Sequence, residues 1–190
     1  MSELFSIQLQ NRQQQGRDGV WLDLPTTTEQ VQAALRQIGI SSDNPQGLFI
    51  SGYFAEEEKR FAIPYNMVLA SNVDELNFLA SRLETLSTGE RAELNAALQA
   101  PQSELFSIGR ITDFPENVDY YVHLPDVHGP AQLGDYYLNR SGMVDMPEEW
   151  KGGIDTAQFG RYVAQQEQGV FTEYGYLVKS GDAWQKVHES

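Results

Sequence analysis

The spacing of apolar residues changes along the chain between the strand period of about two and the helix period of about 3.6, and this change limits the possible folds. Residues 3–10 alternate loosely, a polar run follows, and VWLDL at 20–24 has the composition of a second short strand. Apolar residues at 31–38 then recur at helical spacing, and Thr26 and Glu29 before them have capping-box spacing. The opening of the chain therefore predicts a β-hairpin followed by an amphipathic helix.

Between residues 63 and 100 the pattern is helical throughout. Ser71 with Asp74 and Ser87 with Glu90 have capping-box spacing, and each pair predicts the start of a helix. The apolar positions behind these caps recur at helical spacing, at Leu76, Leu79, Ala80, Leu83, Leu94, Ala97 and Leu98. A small helical region is therefore expected in the middle of the chain.

Strand patterns occur on both sides of this helical region. GLFISGYF at 47–54 is a strand candidate, and the charged run after it, AEEEKRF, predicts a solvated turn or edge. SELFSI at 103–108 repeats SELFSI at 2–7 letter for letter, which suggests related opening strands. FTEYGYLVKSG at 171–181 alternates and predicts a final strand.

A third region begins at Pro101, because proline and the residue before it resist a continued helix. Two helices are predicted in it, around 134–139 and 155–166. The whole pattern is typical of an α+β protein, in which mixed α/β regions flank a small helical one.

The charge is strongly negative: 27 Asp and Glu face 13 Lys and Arg, which leaves a formal charge of −14. A field of this sign repels phosphates and anionic lipids and attracts basic clefts. We therefore expect a basic partner and no direct binding to nucleic acid. Acidity also keeps small proteins soluble, so charge alone leaves the function open.

The chain has no cysteine, which excludes disulfides, thiolate metal sites and cysteine nucleophiles. Its first residues lack the basic and apolar order of a signal peptide, and no apolar run of about 18 residues occurs. We therefore expect a cytoplasmic protein that makes no membrane contact.

Motifs that carry chemistry are missing from the sequence. His123, His128 and His188 lack the spacing of a zinc hydrolase, and no phosphate loop, nucleophile elbow or calcium loop occurs. We predict no catalytic, cofactor-binding or metal-binding residues. The alternative enzyme is a carboxylate-dependent hydrolase, for which Asp113 with Glu116 or Glu148 with Glu149 are candidate acid and base pairs.

The acids are concentrated in one third of the chain. From residue 113 to 173, 11 acids face only Arg140, Lys151 and Arg161. They are spread singly among apolar and aromatic residues, at Asp113, Glu116, Asp119, Asp126, Asp135, Asp145, Glu148, Glu149, Asp155, Glu167 and Glu173. Duplex DNA carries one charge per about 1.7 Å of axis when both strands are counted. Carboxylates stand roughly 5–6 Å apart along a helix face and about 6–7 Å apart along a β-strand. Rows of such acids can therefore stand at separations comparable with those of phosphates along one DNA strand and enter a basic DNA-binding cleft.

Four separated blocks follow one another along the chain: GVWLDLPTT with the helix after it, VDELNFLASRLETLSTGERAELNAAL, LGDYYLNRSGMVDMPEEWKGGIDTAQFGRYVAQ and FTEYGYLV. Together and in this order they resemble the ArdA antirestriction family. The acidic antirestriction motif of that family falls on 142–155, where the matching acids are Asp145, Glu148, Glu149 and Asp155. Lys151 interrupts this motif, and the tail after Lys179 is an addition to the family pattern.

The resemblance implies an elongated chain of three small domains near 1–62, 63–103 and 104–190, which pairs through the third domain into a homodimer. It also implies a non-enzymatic mimic of bent B-form DNA that occupies the DNA groove of type I restriction-modification enzymes, with the methyltransferase core as its target. Such a protein protects a mobile genetic element that enters a new host. The eleven acids of residues 113–173 are the predicted partner-binding residues.

Two alternatives stay open beside this reading. One is an acidic interaction module, or a mimic directed at another basic DNA-binding protein; the other is the hydrolase. The dimer itself has aromatic candidates in the third domain, although core burial explains them equally well: Tyr136, Tyr137, Phe159, Tyr162, Tyr174 and Tyr176.

Overall fold

The computed structural model describes residues 3–14 and 16–188, and within them the chain forms six strands and eight α-helices. The strands are β1 (Phe5–Asn11), β2 (Val20–Leu24), β3 (Leu48–Phe54), β4 (Tyr121–Leu124), β5 (Val170–Thr172) and β6 (Gly175–Lys179). The helices are α1 (Thr28–Gln37), α2 (Tyr65–Leu69), α3 (Val73–Leu83), α4 (Thr88–Gln99), α5 (Ile108–Thr112), α6 (Pro130–Asp135), α7 (Glu148–Lys151) and α8 (Thr156–Glu167). The predicted α+β class is confirmed. None of the helices in the described ranges is both long and apolar enough to cross a membrane.

The described residues pack into two compact units. Unit 1 contains residues up to 86 together with 105–115 and 186–188, and unit 2 contains 87–104 and 116–185. This division does not confirm the predicted arrangement of three domains, whose boundaries near 62 and 103 stay a prediction.

Unit 1 is built on a three-stranded antiparallel sheet in the order β2-β1-β3. The predicted hairpin of β1 and β2 is confirmed, with Ile7 opposite Leu22. Burial alternates strictly along β1, as expected for a sheet with one face on the core. The predicted strand at 47–54 is confirmed as β3, and α1 and α3 pack against β2. The acidic run after β3 forms an exposed 3₁₀ turn, Glu57–Lys59, as predicted.

Two of the three predicted helix caps lie one residue away from their predicted positions. Thr27, not Thr26, caps α1 and accepts a hydrogen bond from the Gln30 backbone, and Asn72, not Ser71, caps α3. In both places several adjacent polar side chains can supply the capping oxygen, so spacing alone does not select one. Ser87 and Glu90 form the predicted reciprocal capping box of α4.

The second SELFSI copy forms no strand, so the prediction of related opening strands is wrong. Ser2, which starts the first copy, lies outside the described residues. Phe5 of the first copy is buried in β1, whereas Phe106 of the second is 68% exposed. Ser107 then caps α5 and accepts a hydrogen bond from the Arg110 backbone. The residues after each copy decide the outcome, because QLQN continues an alternating strand and GRIT continues a helix.

Unit 2 contains the second three-stranded sheet, in the order β4-β6-β5. The predicted final strand at 171–181 is instead a hairpin of β5 and β6, which turns between Thr172 and Gly175. Gly175 has φ +111°, a backbone conformation that residues with a side chain rarely adopt, so the alternating pattern is broken there. α4 packs against β6.

Helices α6 and α8 form the other layer of unit 2 and pack closely against each other. Both were predicted: α6 continues as a π-helical turn, Tyr136–Arg140, and Asp155 caps α8. Val127, Leu133, Ala164 and Tyr176 form the buried core beneath them. The segment between these helices carries the acidic motif and is held at both ends by this packed pair.

Candidate partner-binding surface

Nine of the eleven predicted acids are exposed, and all nine belong to unit 2. Seven of them lie between α5 and α8, at Glu116, Asp119, Asp126, Asp135, Asp145, Glu148 and Glu149. The other two are Asp155, the cap of α8, and Glu173, in the β5–β6 turn. Asp113 and Glu167 are the exceptions, and each is bonded inside its unit.

Asp113 belongs to unit 1 and is 2% exposed. Its Oδ1 accepts hydrogen bonds from the backbone nitrogens of Val187 (3.3 Å) and His188 (2.9 Å) and lies 2.9 Å from His188 Nδ1. The His188 ring also makes an edge contact with Phe78. A carboxylate buried in this way holds the C-terminal tail and cannot present its charge to a partner, so Asp113 is not part of the exposed acidic surface.

Glu167 ends α8 and is half-buried. Its carboxylate accepts hydrogen bonds from Tyr137 Oη, at 3.1 and 2.9 Å, and from Tyr176 Oη. Burial, and then the hydrogen bond to this carboxylate, raise the pKa of both tyrosines. The two hydroxyls therefore stay neutral donors, and Glu167 is bonded within unit 2 and only partly exposed.

The acidic segment, residues 142–155, forms a loop with the single turn of α7 in its middle. Asp145, Glu148 and Glu149 are exposed along it. At its end Asp155 accepts a hydrogen bond of 3.0 Å from the Gln158 backbone, where its negative charge also complements the positive end of the α8 dipole. The segment thus displays carboxylates while one of them fixes the start of a long helix.

Lys151 neutralises only part of this segment. Its Nζ lies 2.7 Å from Glu148 Oε1, and the lysine side chain is 15% exposed while that of Glu148 is 82% exposed. Within the described residues, Asp145 and Glu149 make no ion pair. The cation that interrupts the motif is therefore folded against its neighbour, and the outward charge remains negative.

Large apolar side chains stand beside these acids, and sequence reasoning assigned no role to two of them. Met143 is 75% exposed and Trp150 is 65% exposed, both within the acidic segment, and Tyr162 on α8 is 60% exposed. Exposed aromatic residues of this size are typical anchors of protein interfaces. The available signal was Trp150 itself, an aromatic residue between Glu149 and Lys151 where a polar residue is expected.

The other predicted aromatic anchors divide between core and surface. Tyr176 is fully buried, and Tyr136 and Tyr137 pack against the core around it. Phe159 and Tyr174 are half-buried. Core packing therefore accounts for the first three, which leaves Tyr162, with Phe159 one turn away on α8, as the candidates for an interface.

The carboxyl group with the most perturbed environment is Glu93 of α4, which was not predicted. Its Oε1 is buried without a hydrogen-bond partner among the described residues. Burial, and then the nearby charges of Glu90 and Asp119, raise its pKa to about 8. Glu93 lies six residues after Ser87, the cap of α4, and one turn after Glu90. A glutamate is usually solvated at such a position, so nothing in the local sequence indicates its burial.

The predicted hydrolase pairs do not form an enclosed site. Glu148 and Glu149 are both exposed on α7, and Asp113 is bonded to the tail. No group of three or more His, Asp or Glu residues in the described ranges is arranged to hold a metal ion. The fold and surface define a small acidic α+β protein that displays carboxylates and aromatic side chains together.

The sequence profile of the family described as antirestriction protein (ArdA) matches residues 15–178. The chain therefore belongs to the ArdA family of antirestriction proteins, as its sequence blocks indicated. No curated protein matches the chain. The match ends at Val178, one residue before Lys179, after which the tail is expected to depart from the family pattern.

Proposed function

We propose that this antirestriction protein is a DNA mimic that occupies the DNA-binding groove of type I restriction-modification enzymes, at the methyltransferase core. The observation that carries the proposal is the acidic segment, which presents Asp145, Glu148 and Glu149 to solvent and holds its one lysine against the protein. A groove that binds DNA is lined with basic side chains, and carboxylates there replace phosphates as their partners.

Several features of unit 2 support this mode of binding. Its exposed acids extend well beyond the segment. Glu173 keeps its outward charge beside the neutral Gln99, whereas Asp135 is bonded to Asn139 and lies 3.8 Å from Arg140 Nε, which offsets part of its charge. Because the charges are exposed and separate, no single acid dominates the binding energy. Trp150 and Met143 add exposed apolar contact area within the charged segment, which supplies affinity that salt does not screen.

The proposal includes a homodimer that pairs through α8, with Tyr162 and Phe159 at the contact. It also places the protein in the cytoplasm, where a restriction enzyme meets incoming DNA, and gives it the role of protecting a mobile element. It requires no catalytic residue, cofactor or metal.

The test is competition between the purified protein and a duplex that carries the recognition site for a type I methyltransferase. We expect the protein to displace the duplex at low salt and to lose affinity steeply as salt rises, since screened carboxylates attract basic side chains less. Failure to displace DNA at low salt contradicts the proposal. Displacement of DNA from an unrelated basic DNA-binding protein with equal affinity would instead favour a general acidic interaction module.

A further inference from the structure

A cavity of about 340 Å³ in unit 2 lies where two helices end. Ala100 and Pro101, directly after α4, line it together with Glu167 and Gln168 at the end of α8. Glu104 and Lys179 complete its polar wall. Its volume is at the lower end of the range of ligand pockets, about 300–1,000 Å³. We call it the helix-end cavity.

The electrostatic character of the helix-end cavity is negative. The C-terminal end of each helix contributes roughly half a negative charge from its unsatisfied carbonyl groups, and both α4 and α8 end here. Glu104 and Glu167 add two carboxylates, whereas Lys179 is the one cationic side chain among the lining residues that the structure describes. The site therefore repels anions.

Lys179 does not neutralise Glu167. Its Nζ lies 2.6 Å from Glu104 Oε1, so this lysine is already paired. Glu167 receives hydrogen bonds only from the hydroxyls of Tyr137 and Tyr176, which are neutral donors, and within the described residues it has no ion pair. A half-buried carboxylate without an opposite charge is costly, and a cation that enters the cavity would lower that cost.

We infer that the helix-end cavity binds a guanidinium or primary ammonium group carried on a short apolar stem. The charged group would meet the Glu167 carboxylate and the helix-end carbonyls, and the stem would lie along Val170, Leu177 and Val178, which also line the cavity. An arginine or lysine side chain of a bound protein has this chemistry, and so does a free aliphatic amine. The inference does not depend on DNA mimicry, because it rests on the cavity alone.

The test is an NMR titration of the whole chain with butylguanidinium, with 1-pentanol as a neutral probe of similar length. We expect saturable shifts of the backbone amides of Gln168, Leu177 and Lys179 with butylguanidinium and none with the alcohol. Glu167→Gln keeps an acceptor for the two tyrosines and removes the charge, so binding should weaken about tenfold, as expected for loss of a charge-assisted contact. Asp182→Asn, an exposed change in the same unit and outside the predicted partner-binding acids, should leave the affinity unchanged.

A second variant keeps the inference testable if Glu167→Gln disturbs the tyrosine network. Ala100→Leu fills part of the cavity without changing any charge, and it should also reduce binding of butylguanidinium about tenfold, because the probe loses its space. Shifts that spread over all exposed acids without saturation, or binding that neither variant weakens, would overturn the inference.

The source of the cation is decided by two further measurements. If the cavity accepts a side chain of the target, Glu167→Gln should weaken binding to the methyltransferase more than Asp182→Asn does. If it accepts a free amine, a linear diamine should bind the cavity while the two variants bind the methyltransferase equally. A protein that binds no methyltransferase but still binds butylguanidinium in the cavity would contradict the proposed function and leave this inference intact.

Discussion

A Cβ atom placed on Gly160 of α8 would lie 2.9 Å from the backbone nitrogen of Gly134 in α6. The same atom would overlap the carbonyl group of Pro130, and a Cβ on Gly134 would overlap the carbonyl of Thr156. The two helices thus meet backbone to backbone, which only glycine allows at both positions. Because α8 begins at the end of the acidic segment, this contact fixes one end of the candidate surface.

We therefore expect Gly160→Ala and Gly134→Ala each to lower the free energy of unfolding by about 3 kcal/mol, because the methyl group forces the packed helices apart. Gly152→Ala is the matched control, since a Cβ at that exposed position meets no atom within 4 Å. Urea denaturation followed by circular dichroism measures all three. An unchanged midpoint for Gly160→Ala would show that the helices are not in backbone contact.

The Asp113 carboxylate predicts a second site of stability. Asp113→Ala removes a buried carboxylate and leaves the part-buried backbone N–H groups of Val187 and His188 without this acceptor, so it should cost about 1–2 kcal/mol of unfolding free energy. Asp126→Ala removes an exposed carboxylate and should change stability by less than about 0.5 kcal/mol. Hydrogen exchange of the amides at 187 and 188 gives the direct readout. Continued protection of these amides in Asp113→Ala would contradict the assignment.

Periodicity and composition predicted the elements whose patterns are long and locally consistent, such as the β1–β2 hairpin, α4 and α8. They failed where the outcome depends on distant contacts. The two SELFSI copies differ because β1 has strands on both sides, with Ile7 opposite both Leu22 and Tyr53, while Ser107 of the second copy finds a capping role. Identical letters carry no information about these partners.

The candidate surface shows the same limit. The resemblance to the family's acidic motif identified the acidic segment, and its acids stay close together because they are close in sequence on one loop. It could not separate Asp113 and Glu167 from the exposed acids, since their partners His188 and Tyr137 are 75 and 30 residues away. Glu93 was missed for the same reason: its pKa depends on burial and on Asp119 from another part of the chain.

Glu93 predicts a pH dependence of stability. Its pKa is raised from 4.5 to about 8, so between these values the folded state keeps a proton that the unfolded state has released. Stability contributed by this group is therefore present at low pH, falls as the pH rises through this window, and levels off above about pH 8. Glu93→Gln should flatten the profile and be more stable than the natural chain at pH 9 by about 2 kcal/mol, after discounting for partial solvent exposure.

The measurement is urea denaturation at intervals between pH 5 and 9. Glu58→Gln, which changes an exposed glutamate in unit 1, serves as the control and should run parallel to the natural chain. If Glu93→Gln and Glu58→Gln give the same profile, Glu93 does not hold its proton in the folded state.

Neutralising the acidic segment should reduce binding cumulatively. Asp145→Asn or Glu149→Gln alone should weaken inhibition of a type I methyltransferase about two- to threefold, because each exposed charge contributes little. Combining them with Glu148→Gln and Asp155→Ser, which retains a capping oxygen for α8, should weaken it about 10- to 100-fold and make it less sensitive to salt.

A charge-matched control changes four exposed glutamates of unit 1 to glutamine, at Glu29, Glu56, Glu57 and Glu58. The loss of inhibition in this control variant should be clearly smaller than in the variant with four neutralised acids in the acidic segment. Equal losses would show that net charge, and not the acidic segment, drives binding, and abolition of activity by one single change would point to a catalytic acid instead of a mimic.

Trp150 predicts an effect on binding that is separate from charge. The side chain is 65% exposed, so Trp150→Ala should change the free energy of unfolding by less than about 0.5 kcal/mol. If Trp150 meets the target at the centre of the acidic segment, the same change should weaken inhibition about 30-fold, which is the scale of an interface hot spot, and leave the salt dependence unchanged. Trp21→Ala in unit 1, where the tryptophan is 49% exposed, is the matched control and should keep full inhibition. Light scattering on both variants separates target binding from self-association. If Trp150→Ala loses inhibition and also changes from dimer to monomer, Trp150 lies in the contact between copies. If its inhibition is unchanged, Trp150 is not part of the target-binding surface.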